Sequence, residues 1–432
     1  IKNQYVCKLN INEDMNLLEY LQNLQGMIVK KLQRENELII TLPYEVKCVC
    51  EKNMSNYSEW GEGVSNRNYH ILRELLNREE IGKILAVDYL PLSFKRALRT
   101  YKEDLVLNID DAKIVKRGLT HKVSKISDKL YVYTDIDFWL RPKNTMKRIK
   151  KTAIDLGFGD FVLWSYYPFA APYWDKMGQK MTIFDAVDNW LLHSSYDKHT
   201  DKLKAAYDKI KNETDLIFVV SKNLTNFFDD QPNVYWVPNG VDIKHYNKKF
   251  ALINRDISDI AKPIIGYIGV VQKKVDFELL KYLADKNLDK SIVIVGPVWA
   301  EQEKAKEALV EKKNVYFLGY KKYSEAPQYI QQFDVGIIPH KTAGFSATTN
   351  PMKMYEYLAC GKPVVATNNI GTENVEDMIS VAKDYESFNK LVNDAILSDS
   401  DEHRASRKDF VKKFSWFNTV SKMIDLTKNK FN

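Results

Sequence analysis

Three groups of residues have the type and spacing to do chemistry. The first centres on Glu356, inside the run Asn350 to Thr367, NPMKMYEYLACGKPVVAT. This run predicts a helix followed by a strand. Asn350 suits an N-cap, Pro351 the first helical position, and Gly361 a left-handed residue just past the helix end, with Pro363 blocking continuation. VVAT then predicts a buried strand. The loop before the helix, HKTAGFSATT, is small and polar and follows the apolar strand DVGIIP. A strand, a small-residue loop and a helix N-terminus form an anion site, because free N–H groups and the helix dipole point at the loop. Glu356 lies six residues beyond Asn350, roughly 9 Å along the axis at about 1.5 Å per residue. The alternative for Glu356 is a solvated rim role, paired with Lys353 one turn earlier.

The second group is Asp185 and Asp188, in MTIFDAVDNW at 181–190. Either carboxylate can take a proton from a hydroxyl as a general base, or cap the helix that follows. Ligands of open α/β sheets bind beyond the carboxyl ends of strands. Tyr166 and Tyr167, after the strand at 161, and Trp190 are therefore expected beside the same cleft. The third group is Asp135 and Asp137, at the end of KLYVYTDIDFWL. Two carboxylates in that pattern can hold a divalent ion that bridges phosphates, or simply face solvent at a strand end.

These groups need a scaffold of strands and helices in alternation. In the first half, strands are expected at 46–50, 82–90, 129–140, 161–169, 181–190, 215–221 and 233–242. Gly61 and Gly63 follow the first of them in a glycine loop before a helix near Ser65. In the second half, PIIGYIGVVQKKVDFELLKYLA again predicts strand, glycine loop and helix. There Gly269 allows close backbone approach, and Lys273 or Lys274 can reach a phosphate as a compact cation. Strands at 291–297 and 314–320 precede a helix from Ser324 and the strand DVGIIP. This alternation predicts two Rossmann-like doubly wound α/β domains facing a cleft.

The run NPxKxYEYLAxGKPVVAT resembles the nucleotide-sugar-binding helix of GT-B-fold glycosyltransferases, the group 1 class that builds bacterial surface polysaccharides. The segments DxVDxW at 185–190 and VPNGVD at 237–242 resemble the same class. The resemblance covers most of residues 46–425. It implies that the loop and helix N-terminus (Ser346, Thr348, Thr349, Asn350, Lys353) hold a donor diphosphate and that Glu356 binds the ribose hydroxyls. It implies that Gly61, Gly63, Gly269, Lys273 and Lys274 lie near the donor, and that Tyr320, after Gly319, lies near the base. Asp188, and second Asp185, would be the catalytic base, with Tyr166 and Trp190 on the acceptor side. Many retaining members carry Glu-x7-Glu. Here the first Glu position is Thr348, which puts retention in doubt.

The domain plan expected is an N-terminal extension at 1–45, an acceptor domain at 46–242, a linker at 243–262, a donor domain at 263–408, and a helix at 409–432 that crosses back to the first domain. Residues 14–33 carry leucines at helical spacing, and ELIITLP suits a short strand.

The chain has 432 residues, enough for two or three domains at about 150 each. Hydrophobic content of 45% and charged content of 28% are those of a globular protein with ample core. A net charge of +7 suits a phosphate-bearing substrate or an anionic membrane surface, and no nucleic-acid-binding signature appears. The basic stretch RPKNTMKRIKK at 141–151 suits a surface helix, free in solvent or in peripheral contact with anionic lipid. Four cysteines form no disulfide framework and no zinc spacing, which suits a reducing, cytoplasmic setting at or near the inner membrane face.

The expected activity is transfer of a sugar from a nucleotide-sugar, UDP-linked on this reading, to a glycan or lipid-linked glycan hydroxyl, without metal or other cofactor. The alternatives are a metal-dependent transferase using the Asp-x-Asp pair, as in the GT-A fold, a GT-B-like nucleotide-sugar epimerase, and a non-catalytic nucleotide-sugar-binding scaffold.

Overall fold

The computed structural model describes residues 28–30, 37–41, 65–79, 81–88, 112–135, 142–342 and 344–431. Of the expected helix at 14–33 only residues 28–30 are described, and they form a strand that pairs in the first sheet rather than a helix. The strand at 46–50 and Gly61, Gly63 and Asp137 lie outside the described residues.

The first sheet runs β10-β9-β8-β7-β2-β3-β1-β6-β5-β4. Its members are β1 (Ile28–Lys30), β2 (Glu37–Thr41), β3 (Ile84–Val87), β4 (Lys113–Arg117), β5 (His121–Lys125), β6 (Leu130–Asp135), β7 (Phe161–Ser165), β8 (Met181–Ala186), β9 (Leu216–Val219) and β10 (Val234–Trp236). Strands β10, β9, β8, β7, β2 and β3 pair in parallel, and β6 also pairs in parallel with β3. The core strands read as near-continuous apolar runs (ILAV, FVLWS, LIFV), as a sheet covered on both faces requires. Two findings differ from expectation. ELIIT pairs with both β3 and β7 inside the sheet, so residues before 46 contribute strands to it. An antiparallel hairpin, β4–β5, extends one edge. Its strands, KIVKR and HKVSK, are short and lysine-rich with no long apolar run, which hides them from hydrophobic periodicity.

The second sheet comprises β11 (Ile264–Ile268), β12 (Ser291–Val295), β13 (Val315–Gly319), β14 (Val335–Ile338), β15 (Val364–Thr367) and β16 (Ser380–Ala382). It is wholly parallel, in the order β13-β12-β11-β14-β15-β16. Numbered within the domain this is 3-2-1-4-5-6, the doubly wound order. The order reverses between β11 and β14. Connections from these two strands leave to opposite faces there and open a crevice at their carboxyl ends.

Each sheet carries an apolar core on both faces. The expected linker is folded against the second domain, with Tyr246 and Ile257 in its core. The last helix, Trp416–Phe431, crosses back as expected. Trp416, Val420, Met423 and Ile424 pack with Ile71, Leu72 and Leu75 of the helix Arg67–Leu76. Trp416 stacks on His70 at 4.9 Å between centroids, and Arg78 donates to Phe417 O at 2.8 Å.

Candidate active site

The helix carrying Glu356 spans Met352–Ala359. Its C-terminus closes as expected: Gly361 has φ +76°, its N–H donates to Leu358 O, and Lys362 N–H donates to Tyr357 O. These two bonds satisfy the last carbonyls in a Schellman arrangement. The N-terminus departs from expectation. Pro351, not Asn350, occupies the N-cap, and no side chain caps the helix.

Asn350 instead joins the two domains. Its Oδ1 accepts from Asn239 N–H and from the Tyr355 hydroxyl, both at 2.9 Å. Its Nδ2 donates to Gly371 O at 2.7 Å, and its carbonyl accepts from Asn239 Nδ2 at 2.7 Å. A side chain so committed cannot turn back to its own helix. The preceding loop is latched in the same way. Ser221 Oγ donates to Thr348 O at 3.0 Å, and Asn223 Nδ2 to Ala347 O at 2.7 Å. Thr349 Oγ1 donates to Ser346 O at 2.9 Å and holds the turn. Ser346, Thr348, Thr349 and Asn350 are all buried. In sequence Asn239 stands out only within the VPNGVD resemblance and Ser221 and Asn223 not at all, because their role depends on which domains meet.

The crevice between β11 and β14 gathers most of the candidate donor residues. Gly269, with φ +134°, carries the backbone past Lys353; a Cβ there would lie 3.2 Å from Lys353 Cε. Gly296 lets the next loop approach, since a Cβ would lie 2.1 Å from Gly269 O. The Lys353 ammonium sits 4.8 Å from the centre of the Tyr267 ring. Burial, then the neighbouring Lys274 charge, lowers the Lys353 pKa, while Glu356 opposes the shift. Burial likewise raises Glu356, against a hydrogen bond from Tyr246 and the Lys353 charge. Glu356 is therefore a half-buried carboxylate between a tyrosine and a lysine rather than a solvated rim residue.

The two adjacent lysines separate cleanly. Lys273 is exposed and pairs with Glu301 at 3.4 Å. Lys274 is half-buried, its pKa lowered by burial and raised in part by Asp188 across the cleft. Asp188 is pushed up to about 7 by burial, with Lys274 acting in the opposite sense. A carboxyl at that value accepts and returns protons near neutral pH. Tyr320 is exposed beyond β13, next to Gly319 with φ +67°.

Asp185 has a different position. It is fully buried and gripped by Arg67, whose Nε lies 3.0 and 3.1 Å from its two oxygens. The same guanidinium donates to Pro238 O and Asn239 Oδ1 at 3.2 and 3.3 Å. Asp185 thus braces the Asn239–Asn350 joint, and Asp188 is the carboxylate that faces Lys274.

The acceptor-side expectations need correction. Tyr166 is 1% exposed within one apolar core. Trp190 belongs to the other, stacked on Tyr196 at 4.6 Å. Asp135 is also buried, accepting from Arg148 Nε at 2.7 Å and from the Tyr133 hydroxyl at 2.8 Å. Among the described residues, no group of three or more His, Cys, Asp or Glu side chains is placed to hold a metal ion.

Residues 262–397 match the family described as Glycosyl transferases group 1. The match spans the second domain. The chain is similar to TuaH, a putative teichuronic acid biosynthesis glycosyltransferase of Bacillus subtilis (strain 168), with 29% identity over 180 residues. That match covers 41% of this chain and 43% of TuaH, so the chain spans less than half of that relative's length. The fold is also that of HepE from Anabaena, solved in complex with UDP: 16% identity over 66% of this chain and 82% of HepE, TM-score 0.55. Sucrose-phosphate synthase from Thermosynechococcus elongatus matches at 16% identity over 67% of this chain and 79% of that one, TM-score 0.55. The two facing Rossmann-like domains have the GT-B fold.

Proposed function

We propose that the protein transfers a sugar from a UDP-sugar to a hydroxyl of a glycan or lipid-linked glycan in surface polysaccharide synthesis. The observation that carries this reading is the grouping of Lys274, Lys353 and Glu356 at the switch point of the second sheet, with Asp188 of the first domain opposite Lys274. TuaH, a putative glycosyltransferase, and HepE, solved with UDP, support the substrate class.

Glu356 accepts the ribose hydroxyls. Lys274, Lys353 and the uncapped N-terminus of the Met352–Ala359 helix neutralise the diphosphate as the bond to the anomeric carbon breaks. Asp188 takes the acceptor hydroxyl proton as the new C–O bond forms. Thr348 in place of the first Glu of the retaining motif supports inversion at the anomeric carbon.

Incubation of a UDP-sugar with and without acceptor tests the reading. Acceptor-dependent UDP release that survives chelator is expected. Conversion of the donor without acceptor would indicate an epimerase, binding without any turnover a scaffold, and loss with EDTA a metal-dependent transferase.

A lipid-linked acceptor fits the surface beside the hairpin edge. The helix Pro142–Asp155 exposes Lys143, Lys147, Lys151 and Ile154. Lys116 pairs with Asp155 and joins this helix to the edge strand, where Lys113, Val115 and Arg117 are exposed. Cations around exposed apolar side chains suit an anionic membrane. Co-sedimentation with phosphatidylglycerol vesicles, absent with phosphatidylcholine and lost in Lys147→Glu/Lys151→Glu, is the expected result. No helix among the described residues is long and apolar enough to cross a membrane.

A further inference from the structure

His340 stands at the carboxyl end of β14, on the opposite side of the switch-point crevice from the Gly269 loop of β11. Its position is fixed by its backbone. Its carbonyl accepts from Thr367 Oγ1 at 2.6 Å, its N–H donates to Ile338 O at 3.0 Å, and it forms an antiparallel bridge with Val275. The side chain is completely buried, with its ring 6.5 Å from that of Tyr267. Neither ring nitrogen has a hydrogen-bond partner among the described residues. A buried imidazole with both nitrogens unpaired is costly, and natural folds keep such a group only for a reason.

Its neighbours define what it can bind. Burial and the charges of Lys353 and Lys274 hold the imidazole neutral. Those two lysines supply the positive charge that a diphosphate needs. A neutral imidazole offers one N–H donor and one nitrogen acceptor. Phosphate oxygens only accept, so they satisfy one ring nitrogen and leave the other unpaired. Sugar hydroxyls both donate and accept, so a hydroxyl pair satisfies both.

We propose that His340 is a specificity-determining contact to the transferred sugar, its imidazole pairing with hydroxyls of the hexose bound at the switch-point crevice. This rests on the donor-site reading above. A site built to hydrogen-bond a hydroxyl rejects the analogue that lacks it in that place, because its own polar atoms are then left unpaired. His340 would thus select among epimeric nucleotide-sugars that share one base and one diphosphate.

The test uses the full chain with His340→Leu and His340→Gln, against UDP and a set of epimeric UDP-hexoses. UDP affinity is expected to stay within about twofold in both variants, since that contact set excludes the imidazole. In His340→Leu, kcat/KM for the preferred UDP-hexose is expected to fall about tenfold or more, and the ratio between epimers to flatten. His340→Gln, which keeps a donor and an acceptor, should recover part of the ratio. The melting temperature of ligand-free His340→Leu should hold or rise, because two unpaired buried atoms are removed. A large fall in melting temperature with unchanged epimer ratio would make His340 structural and overturn the proposal. Equal losses for UDP and UDP-hexose would assign the contact to phosphate and also overturn it. If the wild type binds UDP and turns over while His340→Leu discriminates as the wild type does, His340 alone is dismissed. If the wild type binds no UDP, the donor-site reading fails, and the His340 assignment with it.

Discussion

Side chains that looked equivalent in sequence are given distinct tasks by burial and partners. Asp185 and Asp188 are three residues apart, yet one is locked by Arg67 and the other faces Lys274. Asp188→Asn should lower kcat by about 10²–10⁴-fold while leaving donor affinity near wild type. With its pKa raised to about 7, kcat/KM should rise with pH through that value, because the base must lose its proton to act. The same shift has a stability consequence. The folded protein keeps a proton that the unfolded chain releases near 3.8, so stability falls as pH rises between the two values. Asp188→Asn should remove that slope, read as melting temperature against pH. Lys274→Ala should weaken UDP binding by about 1.5–3 kcal/mol, the worth of a charged hydrogen bond, whereas exposed Lys273→Ala should change it little. Sequence could name these residues as candidates. It could not separate the members of each pair, because the separation comes from Arg67 and Glu301, distant in the chain.

Among the elements, the Met352–Ala359 helix was legible where its signals are local and misread where they are not. Gly361 reads as a left-handed terminus from sequence alone, since glycine followed by proline two residues later has a local mechanism. Gly361→Ala should cost about 1 kcal/mol in urea unfolding, from the positive φ. Asn350 reads locally as a cap, but the partner that claims it is 111 residues away. Asn350→Ala would leave the Asn239 N–H and the Gly371 carbonyl without their Asn350 side-chain partner and take the acceptor from the Tyr355 hydroxyl, for a loss of about 3 kcal/mol or more. In a double-mutant cycle, Asn239→Ala and Asn350→Ala should be non-additive because each side chain bonds the other's backbone within one network. The β4–β5 hairpin and β1 escaped notice because they lack the long apolar runs of the parallel core, whereas ELIIT reads as a short strand but its place inside the sheet depends on strand order.

Over the whole molecule, two doubly wound sheets and a returning helix were readable from alternation and from the motif at 350–367. A cleft was expected, but not which strands bound the crevice, since that depends on strand order. The returning helix is part of the first domain's stability, not an appendage. Trp416→Ala should cost about 3–5 kcal/mol and lower the melting temperature, as a fully buried tryptophan beneath the first sheet. The central claim is that the switch-point crevice holds a nucleoside diphosphate, with Glu356 on its ribose. Calorimetric titration of wild type and Glu356→Ala with UDP, each with and without EDTA, tests it most directly. The account predicts EDTA-insensitive binding that weakens by about 1.5–3 kcal/mol in the variant. Failure of the wild type to bind UDP or any other nucleoside diphosphate, or equal affinity in Glu356→Ala, would contradict it.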